Sequence, residues 1–292
     1  MNPHDTPLHT SQSPALNRRR WLALGVASAG AAGMAVAGTS AAGGKATPGH
    51  LPLTAQATEG PYYFDAAKVR ADITEGLPGV PLDIRFSVID SSGTPLPQAR
   101  VDVWHCNAAG VYSGYAGQGA QRTTSTAGAT FLRGTLTTGA DGQALFHSVY
   151  PGWYEGRTTH IHFKVFSGTR TLLTSQFFLP DALSEFLYTQ LPEYKKQRLR
   201  EVLNRNDGIA LMAGSTVLGA VREEAQRYVA SLDLVVDPLA SHAGDTRPGP
   251  PGGPGTNAGG PPPGGPQGAG GPARSQVMSA AERLSALVPA RK

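Results

Sequence analysis

Tyr150-Pro151-Gly152-Trp153-Tyr154-Glu155-Gly156-Arg157-Thr158-Thr159-His160-Ile161-His162-Phe163-Lys164-Val165 is the stretch on which the fold and the chemistry of this chain turn. Its second half predicts a strand over 159–166. In extended backbone, side chains at i and i+2 share a face, so His160 and His162 point one way while Ile161, Phe163 and Val165 point into a core. Two imidazoles then converge on one point. The first half predicts a loop, because Gly152 and Gly156 bracket Tyr154, and such a loop can fold the phenol back over the histidine face. Upstream, Gly110-Val111-Tyr112-Ser113-Gly114 sets a second tyrosine between glycines just after a β-rich run.

Working outward, residues 82–89 alternate apolar and polar side chains, as a half-buried strand does. A turn follows at 91–95. Residues 101–105, 131–138 and 144–146 are further short β-rich runs, with a turn at 139–142 before the last of them. Residues 172–178 and 228–236 read as later strands, and 181–203 as more helical. The spacing predicts a mainly β fold, a β-sandwich with short helices, and no repeat of solenoid period is visible.

Both ends differ from this core. Asn17-Arg18-Arg19-Arg20-Trp21-Leu22 leads into an uncharged Ala/Gly-rich run to Gly44, with Ala35-Val36-Ala37 resembling a cleavage site. The expectation for residues 1–45 is a twin-arginine signal and linker, delivering a folded protein through the Tat export machinery to the periplasm, the cell surface or the medium. A membrane anchor is the alternative, weakened by Gly25, Gly30 and Gly33. From about Ala243 to Ala273, Gly and Pro dominate without a triplet period, so residues 242–292 are expected to be a low-complexity tail with one short terminal helix.

Residues 46–241 remain as one domain. It holds 16 Lys and Arg against 18 Asp and Glu, so the high pI comes from the flanks and says nothing of nucleic acid. No basic stripe interleaved with aromatics is present, and no nucleic-acid partner is expected. The single cysteine, Cys106, cannot form an internal disulfide. It stands next to His105, but adjacent strand residues face opposite ways and do not share one metal. Trp104 and His147 are expected in the core or a pocket wall.

A His-X-His pair alone is more often two ordinary strand histidines than a metal site. Tyr112 and Tyr154 change the balance. A trivalent cation lowers the phenol pKa, and phenolate is a hard anionic donor, so two phenolates with two neutral imidazoles suit ferric iron better than zinc.

These residues resemble the ligand region of the intradiol ring-cleavage dioxygenases, the family of catechol 1,2-dioxygenase and protocatechuate 3,4-dioxygenase. Val103-Trp104-His105 followed by Gly110-Val111-Tyr112 is similar to its first tyrosine segment, and Pro151-Gly152-Trp153-Tyr154 to its second. Arg157, three residues before His160, and Gln176, on the following strand, occupy two further positions of the pattern. Thr58-Glu59-Gly60-Pro61-Tyr62-Tyr63 is similar to the segment bordering the substrate, which makes Gly60 and Pro61 candidate substrate-binding residues along with Arg157. The resemblance covers about Thr54 to Asp237. It implies a prealbumin-like β-sandwich, a non-haem Fe(III) held by Tyr112, Tyr154, His160 and His162, and a catechol-type diol cleaved with O2 between its hydroxylated carbons to a muconate-type diacid. It further implies that Tyr154 is the phenolate displaced by substrate, that Arg157 stabilises charge on the ring and that Gln176 hydrogen-bonds the oxygenated intermediate. The chain departs from the family in its export signal and in lacking a long helical dimerisation region, which leaves the substrate and the oligomeric state open, a homodimer included. Two other readings stand beside this one. Gly93-Thr94-Pro95-Leu96-Pro97 and the 140–154 region also resemble secreted prealbumin-like binding modules, and His160 with His162 suits a copper or zinc enzyme.

Overall fold

A computed structural model describes residues 49–119, 121–242 and 278–287. The expected export signal and the Gly/Pro-rich stretch lie outside the described residues. The chain divides into Met1–Ala46 and Thr47–Lys292, and every described residue lies in the second unit. Among the described residues no helix is long and apolar enough to cross a membrane.

Among the described residues eight strands form two four-stranded sheets. One contains β1 (Pro81–Asp90), β4 (Gln143–Val149), β7 (Ala220–Glu224) and β8 (Arg227–Val236), in the order β4-β1-β8-β7. The other contains β2 (Arg100–Trp104), β3 (Arg133–Thr137), β5 (His160–Ser167) and β6 (Arg170–Phe178), in the order β3-β2-β5-β6. The mainly β expectation therefore holds. Alternating residues on β1, such as Leu82, Ile84, Phe86 and Val88, are buried, and face Ile161, Phe163 and Val165 of β5 in one cluster. Phe86 lies between the two sheets, 5.1 Å from the Phe163 ring and 6.3 Å from that of Phe177.

Two sequence expectations are corrected, and one strand was not foreseen. The helical stretch at 181–203 ends early: α1 covers Asp181–Gln190, because Leu191 is extended before Pro192, and proline disfavours helical backbone in the residue ahead of it. A short 3-10 turn, Pro192–Tyr194, follows and buries Tyr194, whose hydroxyl accepts from Val80 N and donates to Tyr150 O. His147 is half-exposed on edge strand β4, 2.8 Å from Asp83 Oδ1, and is no core residue. Strand β7 was not anticipated: its side chains are largely exposed, so it lacks the alternation by which a half-buried strand is recognised. Two further helices, α2 (Gly208–Ala213) and α3 (Ala280–Leu287), follow in the chain, and Arg283 of α3 donates to Arg200 O and to Glu185.

The second sheet is covered on both faces, and this positions the site. Its outer face is overlaid by the segment before β1, which is tied down by Ala57 N donating to Thr174 O and by Lys164 Nζ donating to Glu59 Oε2 at 2.5 Å. Strand β5 is consequently buried along six successive residues. Histidines on its outer face sit in a second, polar interior.

Candidate metal centre

Strand register builds the floor of this interior. Arg133 pairs with Trp104, Trp104 with His162, and His162 with Gln176, so four side chains form one row across β3, β2, β5 and β6. Trp104 stacks on the His162 ring, with centroids 4.9 Å apart and planes 10° apart. His105 points the other way, to Ser148, and Cys106 is free and buried beside Tyr112, so the Cys-His pair does not converge.

Two loops bring the phenols over this floor, and glycine lets them cross. A Cβ on Gly110 would collide with the Trp153 carbonyl, and one on Gly152 with the Ala108 carbonyl. Asn107 O accepts from both Gly110 N and Gly152 N, at 2.8 and 3.0 Å, which fastens one loop to the other. Below them Arg133 donates to Ser113 Oγ at 2.8 Å and to Ser113 O at 2.9 Å, fixing the residue after Tyr112. Gly152→Ala should therefore destabilise the fold by about 1–3 kcal/mol, as overpacking does, and displace both phenols. A thermal melt together with the visible spectrum of the metal-loaded protein checks this.

The four side chains meet at His160 Nε2. It lies 3.1 Å from Tyr154 Oη, 3.1 Å from His162 Nε2 and 3.4 Å from Tyr112 Oη. His160 Nδ1 is 2.7 Å from Thr158 O and can only donate to that carbonyl, which leaves the Nε2 lone pair facing the other three groups. One lone pair cannot satisfy three such neighbours. A cation can be bound by all four, and a histidine ligand ordinarily gives its second N–H to a carbonyl as His160 does. His162 Nδ1 is buried with no hydrogen-bond partner.

The electrostatics of the four groups suit a cation among them. Burial holds His160 down to about 3, with the Arg157 charge acting in the same direction, and holds His162 well below the ordinary histidine value. Both imidazoles are neutral donors near pH 7. Burial also raises Tyr112 well above 10 and pushes Tyr154 up to about 12, so neither phenol ionises without a cation beside it. Among the described residues no three or more His, Cys, Asp and Glu side chains group to hold a metal. The two histidines can complete a donor set only with the phenols, and hard phenolate oxygens with imidazole nitrogens fit ferric iron rather than the usual zinc set.

Arg157 and Gln176 stand behind the phenols. Arg157 Nη2 donates to Gln176 Oε1 at 2.5 Å, and Gln176 Nε2 donates to Thr58 O at 2.8 Å. Arg157 Nε donates to Asp207 Oδ2 at 2.8 Å, while Asp207 also accepts from the Thr158, Ile209 and Ala210 backbone N–H groups. Asp207 was not singled out in the sequence, and its place as residue before α2 was the one available signal. In the 58–63 segment, Gly60 takes a left-handed turn (φ +72°), and a Cβ there would lie 3.4 Å from His162 Cε1. Pro61 is exposed. Tyr62, part of the 58–63 segment but given no role of its own from the sequence, is the residue this turn delivers: it stacks on Tyr112 at 4.4 Å and lines a cleft of about 1190 Å³ together with Tyr112 and Tyr154.

The chain is similar to known proteins over the segment that carries these residues. A family model described as Dioxygenase matches residues 58–206. Catechol 1,2-dioxygenase 1 of Acinetobacter lwoffii is 29% identical over 184 residues, covering 54% of this chain and 56% of that protein. Catechol 1,2-dioxygenase of Candida albicans is 32% identical over 146 residues, covering 41% of this chain and 46% of that protein. The chain thus spans about half the length of the curated relatives it matches. Among solved structures, the intradiol ring-cleavage dioxygenase from Tetranychus urticae superposes with a TM-score of 0.60 and 25% identity, covering 65% of this chain and 97% of that one. Since the matched segment takes in half of the chain and carries both tyrosine loops, the two histidines and Arg157 with Gln176, the chain belongs to the intradiol ring-cleavage dioxygenase family.

Proposed function

We propose that this protein is a non-haem Fe(III) enzyme that cleaves a catechol-type diol with O2 between its two hydroxylated carbons, giving a muconate-type diacid. The observation that carries the reading is the meeting of Tyr112, Tyr154 and His162 around His160 Nε2 within 3.1–3.4 Å. These four residues would hold the iron. When bound, ferric iron supplies the Lewis acidity that keeps phenol and diol oxygens ionised near neutral pH and makes the ring reactive toward dioxygen.

The chain's own residues divide the remaining work. Tyr112 is buried beneath the Tyr62 ring, whereas Tyr154 is partly exposed at the cleft. Tyr154 Oη is therefore the phenol oxygen placed to accept a proton from the incoming diol, with Tyr112 staying in position. Arg157 lowers the pKa of both phenols against the effect of burial, and its fixed charge favours negative charge developing on the ring. Gln176 is engaged at both ends of its amide, so its first role is to lock Arg157 to the Thr58 segment, with one N–H left for an oxygenated substrate. The Trp104 and Tyr62 rings shield the histidine and phenol groups from water. Export by the twin-arginine route is part of the same proposal: iron could be loaded before a folded protein crosses, and an environmental aromatic would be the substrate.

Purified protein should contain iron, be burgundy to red from phenolate-to-iron charge transfer, and consume oxygen with a panel of catechol, protocatechuate, hydroxyquinol and chlorocatechols. Product spectra should place the cut between the hydroxyl-bearing carbons. Full activity in a colourless, iron-free preparation would overturn the reading.

A further inference from the structure

The cleft over Tyr112 and Tyr154, at about 1190 Å³, is larger than the roughly 300–1,000 Å³ that accommodates a drug-sized ligand. A single ring with two hydroxyls would occupy only its floor. What fills the rest must suit the remaining lining, and that lining is charged. Arg122, Lys195 and Lys196 line it, and among the described residues none of them has a carboxylate partner. Arg198, which also lines it, is paired with Glu155 at 2.9 Å, so among the described lining residues Glu193 is the remaining acid against three cations.

The cations are built into the loops that carry the phenols. Lys196 Nζ donates to the Trp153 carbonyl, next to Tyr154, and stands 4.5 Å over the Trp153 ring. A carbonyl and a ring fix this ammonium in place without cancelling its charge, and burial lowers its pKa. Arg122 closes a turn by donating its backbone N–H to Gly119 O. Gln118, one residue before that turn, accepts from Tyr112 N through Oε1 at 3.3 Å. The cleft thus carries the two phenols and an excess of positive charge in one lining, and an excess of one sign draws the opposite charge to it.

We propose that the substrate is a catechol bearing a tail of several atoms that ends in a carboxylate, its diol at Tyr112 and Tyr154 and its carboxylate against Arg122, Lys195 and Lys196. This rests on the ring-cleavage reading and names the class of substrate for it. The tail contributes binding, so its effect falls on KM more than on kcat.

The test measures oxygen uptake by the iron-loaded full-length protein with catechol, with a dihydroxyphenyl-hexanoate and with the methyl ester of that acid. Acid and ester differ in charge but hardly in size. We expect kcat/KM to favour the acid by about fivefold, the equivalent of ~1 kcal/mol from ion pairing in a half-wet cleft. The preference should shrink with added salt, and the acid-to-ester ratio should approach one in an Arg122→Gln/Lys195→Gln double variant. A ratio of one in the unaltered protein, or a preference for the ester, while catechol itself is turned over, would overturn the substrate class and leave the ring-cleavage reading standing. Failure of all three diols in a protein that holds iron would take down both.

Discussion

Replacing His160 by alanine should cost the protein its iron and its colour together. His160 Nε2 lies within 3.4 Å of all three other candidate donors, and its removal takes away the atom at which they meet. The loss of affinity should exceed the roughly 10–100-fold that follows removal of a hydrogen-bonding partner outside a ligand set. Metal analysis after dialysis should give far less iron per chain than the parent, the visible band should vanish, and oxygen uptake with catechol should fall to background. Tyr112→Phe is the companion experiment, because it keeps the ring stacked on Tyr62 and removes only the oxygen. It should bleach part of the charge-transfer band, with Tyr154 supplying the remainder. Melting curves of the metal-free proteins separate these effects from misfolding. Full iron occupancy and unaltered colour in His160→Ala would show that the cluster does not hold the metal.

The fold was readable where side-chain alternation is strong and unreadable where tertiary contacts set the structure. Residues 82–89 and 228–236 alternate, and both are strands. Their parallel pairing, with Leu82 opposite Tyr228, leaves no local mark because the partners are far apart in sequence. His160 and His162 share a face as the period of a strand requires, and Ile161, Phe163 and Val165 lie in the core. Lys164 looks like a solvent-facing strand residue, yet it is buried, since Glu59 on the covering segment supplies its counter-charge. The same covering segment makes Gln176 fully buried on an edge strand, where an exposed amide would be the ordinary expectation. The two tyrosine loops were legible through their glycines, but the mutual crossing of Gly110 and Gly152 was not. Arg133 and Tyr62 act on Tyr112 through contacts that span long loops, and local sequence carries no trace of such contacts.

Asp207 is the point at which stability and the site depend on one side chain, and Asp207→Ala should be among the most damaging single changes outside the four candidate ligands. Its Oδ2 accepts from Arg157 Nε and Thr158 N, and its Oδ1 from Ile209 N and Ala210 N at the start of α2. Truncation strips the cap from α2 and leaves the largely buried Arg157 guanidinium with no carboxylate, a loss of about 3–5 kcal/mol when one partner of a buried pair is removed. Arg157 would then be held only by Gln176, so kcat should fall even in molecules that remain folded and keep their iron. The pH dependence gives an independent check. Burial raises the Asp207 pKa, but the Arg157 charge and the Thr158 and Ala210 N–H groups outweigh it and hold the carboxyl below its usual range. A carboxyl depressed in the folded state contributes stability that is fully present above the unfolded pKa of about 3.9 and is lost as pH falls through the lower, folded value. Asp207→Asn should accordingly melt well below the parent at neutral pH, and the gap between the two should close as pH drops below about 4. A gap that stayed constant across that range would mean that the carboxylate charge contributes nothing and that Asp207 acts through shape and hydrogen bonding alone.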